Sequence, residues 1–178
     1  MREHVPASRH LLFWSIALLG AGLDLASKAA IFARLGLHGS RRLVGDVLEL
    51  RTSYNPGALW GLGRDWQYSS LLFAVASLVA GLFICYYLFG RGAAADRLQT
   101  IALALIMAGA IGNCYDRLML GRVRDFVHFH VDAIGFDWAI FNLADSLLVV
   151  GAIALMLLAL RPEPATEPAP MAGLERTP

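Results

Sequence analysis

Hydrolysing a peptide bond requires a water made nucleophilic and a leaving amine that receives a proton. Two carboxyl groups sharing one proton can do both jobs. Like charges about 3 Å apart cannot both ionise easily, so one acid keeps its proton to a higher pH than it would alone, and burial strengthens the effect. The sequence offers several acids in suitable settings: Asp24 with Lys28 inside an apolar segment, Asp116 beside Asn113 and Arg117, Asp125 in a loop, and Asp145 close to Asn142. The chemistry calls for a pair of carboxylates without choosing its members.

Each of these residues also has a plainer explanation. An ionisable side chain at the centre of a membrane helix costs about 2.5–3.5 kcal/mol on the insertion scale, so it normally has a partner or a task. Asp24 and Lys28 are four residues apart on one helix face and can neutralise each other. Asp116 and Arg117 fit local ion pairs at a helix end, and Asn113 fits a hydrogen-bonded cap or brace. Asp125 in Arg124-Asp125-Phe126 is a loop acid, a type that is normally just solvated. A helix opening at Ile140 puts Asp145 roughly 7–8 Å along the axis, where the helix dipole favours an acid. That reading leaves Asn142, one turn earlier on a similar face, without a reason.

Other chemistries find less support. In His128-Phe129-His130 both imidazoles share a face at strand spacing, with Asp132 nearby. Zinc sites need three or four such ligands, and no second His or Cys cluster completes this one, so no metal is expected. No phosphate-binding loop, dinucleotide fingerprint or HExxH pattern is present. Ser53 and Ser146 have no evident histidine partner for nucleophilic catalysis. Asn55-Pro56-Gly57-Ala58-Leu59-Trp60-Gly61 reads as a turn followed by an aromatic edge, and the Asn55 amide could hold a peptide backbone.

The elements that must position these residues are apolar. Hydrophobic residues make up 57% of the 178, charged residues only 16%, and mean hydropathy is +0.57; these values make a membrane the natural solvent. A net charge of +1 gives no electrostatic case for nucleic acid. Cys85 and Cys114 lie in apolar runs and do not suggest a disulfide framework. Crossing the hydrocarbon takes roughly 20 apolar residues. Four segments qualify: Leu11–Ala33, Ser69–Phe89, Leu98–Asp116 and Ile140–Leu160. The first is too long for a signal-peptide core and carries Asp24 and Lys28, so it reads as a retained span. Residues 48–54 alternate large and polar side chains at period two, a strand pattern.

The expected fold is therefore an all-α membrane protein with four transmembrane helices and a small extracytoplasmic β-like subdomain between helices 1 and 2. Residues 1–160 form one domain, and the Pro-, Ala- and Glu-rich tail 161–178 reads as a disordered cytoplasmic segment. Four spans place both termini on one side and the loops 34–68 and 117–139 on the other. Arginines flank both sides, Arg2, Arg9, Arg91, Arg97 and Arg161 against Arg34, Arg41, Arg42, Arg51, Arg64, Arg117, Arg122 and Arg124, so the positive-inside rule does not fix orientation.

Five motifs in order resemble the lipoprotein signal peptidase (signal peptidase II) family: Asp24-x-x-x-Lys28, Asn55-x-Gly57-Ala58-x-Trp60-Gly61, Gly112-Asn113-x-x-Asp116-Arg117, Gly121-x-Val123-x-Asp125-Phe126 and Phe141-Asn142-x-Ala144-Asp145-Ser146. The resemblance covers the chain from the first helix to the fourth. It implies that Asp125 and Asp145 are a catalytic aspartate pair. Asn113, Arg117 and Asn142 correspond to residues that shape the site, Asp116 to a supporting one, and Asn55 with Gly57 to a loop that meets substrate or inhibitor. Asp24 and Lys28 correspond to a structural polar pair.

The same resemblance implies a monomeric, multi-pass enzyme of the bacterial inner membrane. Its termini are cytoplasmic, its active site extracytoplasmic, and it is inhibited by globomycin. It uses no cofactor or metal and cleaves prolipoproteins before a cysteine carrying diacylglycerol, among membrane lipids. Leu59 departs from the pattern, standing where the family often has a smaller residue; the tail and the Arg-rich outer loops are also outside it. The rival classes are a small ion or proton transporter, which needs ionisable residues through the full membrane depth, and a non-catalytic membrane assembly factor.

Overall fold

The computed structural model describes residues 5–57, 63, 66–91, 94 and 96–161. Residues 58–61 of the second motif, Arg64 and the tail from 162 lie outside the described residues. Among the described residues, four α-helices and four β-strands follow one another as α1 (Ala7–Leu35), β1 (Ser40–Val44), β2 (Leu48–Asn55), α2 (Ser69–Cys85), α3 (Arg97–Leu120), β3 (Val123–Val131), β4 (Phe136–Asp137) and α4 (Leu143–Ala159). A π-helical turn, Tyr86–Gly90, continues α2.

Helices α1, α2 with its π turn, and α3 are long and apolar enough to cross a membrane; α4 has 17 residues and is apolar but shorter. Helix α3 is the buried centre, whereas α1, α2 and α4 turn large apolar side chains outwards, among them Leu18, Leu19, Leu78, Leu82, Val150 and Ile153. Such a surface suits lipid rather than water. The helices approach through small residues, as membrane packing favours. A Cβ on Gly20 would meet Ala108, and one on Gly109 would collide with the Ala144 carbonyl.

The expectation of a β-like subdomain between the first two helices is too narrow. Strands β1 and β2 do form a hairpin there, but β3 and β4 from the second loop extend it into one antiparallel sheet in the order β1-β2-β3-β4. Backbone pairing thus ties the two loops together, and both stand at one end of the bundle. The opposite end holds the start of α1 and the end of α2, where His10 stacks on Phe89 at 4.0 Å. Thr52 stitches sheet to helix: its hydroxyl donates to the Gly36 carbonyl at 2.7 Å and accepts from Gly39 N–H at 3.0 Å.

Two helix ends differ from the sequence reading, and both shifts matter for the site. Helix α3 runs four residues past Asp116, so Asp116 and Arg117 face the interior from its last turns rather than closing it. It stops at Gly121, whose left-handed backbone (φ 68°) suits glycine and turns the chain sharply into β3. Helix α4 begins at Leu143, which makes Asn142 its N-cap and Asp145 the third helical residue.

Candidate active site

The site is built where the start of α4, the end of α3, the middle of α1 and the paired strands β2 and β3 meet. Helix α4 needs partners for its first N–H groups, which have none within the helix. Asn142 accepts from Asp145 N–H at 3.0 Å while the Asp145 carboxylate accepts from Asn142 N–H at 3.1 Å, a reciprocal capping box. Asp24, from α1, accepts from Ala144 N–H at 2.9 Å. The puzzle of Asn142 is thereby solved: it caps the helix that carries Asp145.

The same asparagine reaches the other acid. Its amide donates to Asp125 Oδ1 at 2.7 Å and to Asn113 Oδ1 at 3.2 Å. Asn113 in turn donates to Asp145 Oδ1 at 2.8 Å. Asp125 Oδ2 accepts from the Asn55 side-chain amide at 3.1 Å, and Asn55 Oδ1 accepts from Gly57 N–H at 3.0 Å. Asp125 and Asp145 therefore belong to one hydrogen-bonded unit, joined through two asparagines. Burial, then the nearby Asp145 charge, pushes the Asp125 carboxyl up to about 7, against the opposing hydrogen bonds from Asn142 and Asn55.

Below the acids lies a charge cluster that is neutral overall. Lys28, fully buried, bonds Asp24 at 2.7 Å, donates to Asn113 Oδ1 at 2.9 Å and stands 3.6 Å from Asp116. Asp116, also fully buried, takes Arg124 N–H at 3.0 Å and its guanidinium at 2.6 Å, a pairing that raises the Arg124 pKa. Two acids and two bases thus compensate one another in a place where an isolated charge would be untenable. The Asp24–Lys28 pair expected from spacing alone is one edge of this larger network. Asp116 acts by pinning the strand residue next to Asp125.

Arg117 donates to the Asn113 carbonyl at 3.4 Å and to the Gly57 carbonyl at 3.2 Å, and its guanidinium lies 5.4 Å from the centre of the Phe73 ring. It links the end of α3 to the turn after β2. Beside Asp145 opens a cavity of about 280 Å³ lined by Trp138, Phe141, Ser146, Val149 and Val150, an almost wholly apolar wall around one carboxylate.

The structure brings together every residue singled out for this site from the sequence, from α1, the end of β2, α3, β3 and α4. Sequence reasoning missed the roles of three residues. Arg124 is named beside Asp125 and among the loop arginines but given no role there, although an arginine next to a candidate acid was the available signal. Phe141 exchanges backbone hydrogen bonds with Val127, donating at 2.9 Å and accepting at 2.8 Å, which draws α4's start against β3. Thr52 gave no signal at all. The histidines lie further along β3, outside the carboxylate unit.

Similarity to known proteins agrees with this architecture. The family model described as Signal peptidase (SPase) II matches residues 16–161. A lipoprotein signal peptidase of Rhodopirellula baltica is 38% identical over 166 residues, covering 85% of this chain and 73% of its own. One from Paraburkholderia phymatum is 37% identical over 160 residues, covering 88% and 92%. Two solved structures share the fold. A bacterial membrane enzyme determined by the in meso method at 2.3 Å has a TM-score of 0.75 at 25% identity, covering 93% of this chain and 98% of its own. Another, at 1.9 Å, gives 0.71 at 26%, covering 90% and 97%. With its membrane helices, its linked acids and these relatives, the chain belongs to the signal peptidase II family of membrane aspartic peptidases.

Proposed function

We propose that this protein removes the signal peptide from prolipoproteins by hydrolysing the bond before a cysteine that carries diacylglycerol, with Asp125 and Asp145 as the acid pair. The observation that carries the reading is the linkage of the two carboxylates through Asn142 and Asn113. Asp125 holds its proton to about pH 7 because it is buried and faces Asp145. A pair bearing one proton takes a proton from water with one member and protonates the departing amine with the other. The two act as a coupled unit, so the roles belong to the pair. Asn113 and Asn142 fix the carboxylates, and Asn55, Gly57 and Arg117 border the strand where a substrate backbone would lie.

The substrate enters sideways from the bilayer with its acyl chains remaining in lipid. The apolar cleft beside Asp145 supports that route. All four helices span the bacterial inner membrane, the termini are cytoplasmic, and the sheet lies at the extracytoplasmic face. A monomer suffices, because one chain supplies every group of the site.

Purified protein incubated with a diacylglyceryl-modified prolipoprotein should release signal peptide on a gel, and globomycin should block it. Asp125→Asn and Asp145→Asn should each lower the rate by about 10²–10⁴-fold or more, the usual worth of a positioned acid or base, while keeping the helical circular dichroism. Unimpaired cleavage by either variant would reject the pair.

A further inference from the structure

A second cluster stands on the sheet, and the function proposed above makes no use of it. Strand pairing sets Glu49 of β2 directly opposite His128 of β3. His130 lies two residues on, its ring stacked on that of His128 at 4.8 Å between centroids. Glu49, His128 and His130 each bring one potential ligand atom to within 4.8 Å of the others. Thus the third ligand whose absence argued against a metal comes from the other loop. Sequence spacing could not show it, because Glu49 and His128 are 79 residues apart.

The geometry points to a binding site for a borderline divalent cation such as Zn²⁺, held by Glu49, His128 and His130. Two imidazoles and one carboxylate are the donor set that suits zinc and its neighbours rather than calcium or magnesium. His128 Nδ1 lies 2.8 Å from Glu49 Oε1, a hydrogen bond that an ion would replace by parting the two atoms to the roughly 3.3 Å between ligands of a tetrahedral zinc, while Nε2 lies 2.7 Å from Asp137 Oδ1. A carboxylate on the far nitrogen is how metal-binding histidines are commonly oriented. His130 repeats the arrangement more loosely, with Nε2 3.9 Å from Asp132 Oδ1. Its Nδ1 is buried and has no hydrogen-bond partner. A histidine–carboxylate ion pair alone accounts for His128, but it leaves that His130 nitrogen with nothing to bond.

These residues line a cavity of about 460 Å³ that also holds Arg51. Arg51 opposes a cation there, but Glu49, Asp132 and Asp137 outnumber it and leave the site net negative with neutral histidines. A bound ion would clamp β2 to β3 a few residues from Asn55 and Asp125, bracing the two loops that carry the acid pair.

The test uses the full-length protein in detergent, stripped with a chelator and titrated with Zn²⁺ by calorimetry, with Co²⁺ absorption reporting the ligand geometry. One saturable equivalent should bind and raise the thermal midpoint. His130→Gln and Glu49→Gln should each weaken binding by about tenfold or more, and Asp125→Asn should leave it unchanged. If His130→Gln fails to fold, Glu49→Gln decides alone. The absence of saturable binding, or binding equally tight in the variants, overturns the site.

Discussion

At the scale of single residues, the proposed acid pair is governed by what its members touch. Asp125 is 3% exposed and keeps its proton to about pH 7, through burial first and the Asp145 charge second. A pair that works with one proton loses activity when that proton leaves, so kcat/KM should fall as pH rises above about 7. The Asn55 hydrogen bond favours the charged carboxylate. Asn55→Ala should therefore move that alkaline limb to higher pH, and a pH–rate profile on a lipidated substrate would reveal it; a limb that stays in place detaches Asn55 from the titration. Linkage gives a second expectation with its own sign. A carboxyl whose folded pKa is raised binds its proton more tightly folded than unfolded, so stability declines as pH climbs from near 3.8 towards 7. Asp125→Asn abolishes that decline, and its thermal midpoint should exceed the wild type's by more at pH 8 than at pH 5.

At the scale of elements, the acids are placed by devices that only partly show in the sequence. The four-residue spacing of Asp24 and Lys28 was legible because helix geometry is local. Their reach to Ala144, Asn113 and Asp116 was not, because it depends on which helices pack together. Asn142 looked like a neighbour on Asp145's face and proves to be the cap of its helix, since the apolar run conceals where α4 starts. Lys28 is the cation that α1 contributes between two fully buried aspartates. Lys28→Met leaves Asp24 with no cation and Asp116 with Arg124 alone, and removing one partner of a buried pair typically costs about 3–5 kcal/mol. Chemical denaturation in detergent should register a loss of that order, with activity falling alongside. A second element-level contact is steric. A Cβ on Gly112 would strike the Asp24 carboxylate, so Gly112→Ala should push α1 from α3 and reduce both folded yield and turnover, whereas Gly22→Ala, with open space around it, should be tolerated.

At the scale of the whole molecule, the helical plan could be read from hydropathy, because lipid demands long apolar runs and closed backbone hydrogen bonding. The joined sheet could not. Its decisive pairing, β2 with β3, links segments about 75 residues apart, and short alternating strands carry no label naming their partner. Once formed, the sheet makes the two loops one body, and the buried charges Asp24, Lys28 and Asp116 converge beneath it instead of lining a path through the bundle, the arrangement a proton or ion carrier would need. The site therefore opens at a single face, and which face that is decides whether exported prolipoproteins can reach it. Arginines on both sides leave the charge rule silent, so orientation has to be tested directly. Leu43 on β1 is half exposed at the sheet end, and Arg91 is exposed at the opposite end, just past α2's π turn. In a background with Cys85 and Cys114 replaced, Leu43→Cys should react with a membrane-impermeant maleimide from the extracytoplasmic side of intact cells. Arg91→Cys should react only after the membrane is opened, and the reverse pattern would turn the acid pair towards the cytoplasm, where no exported substrate waits.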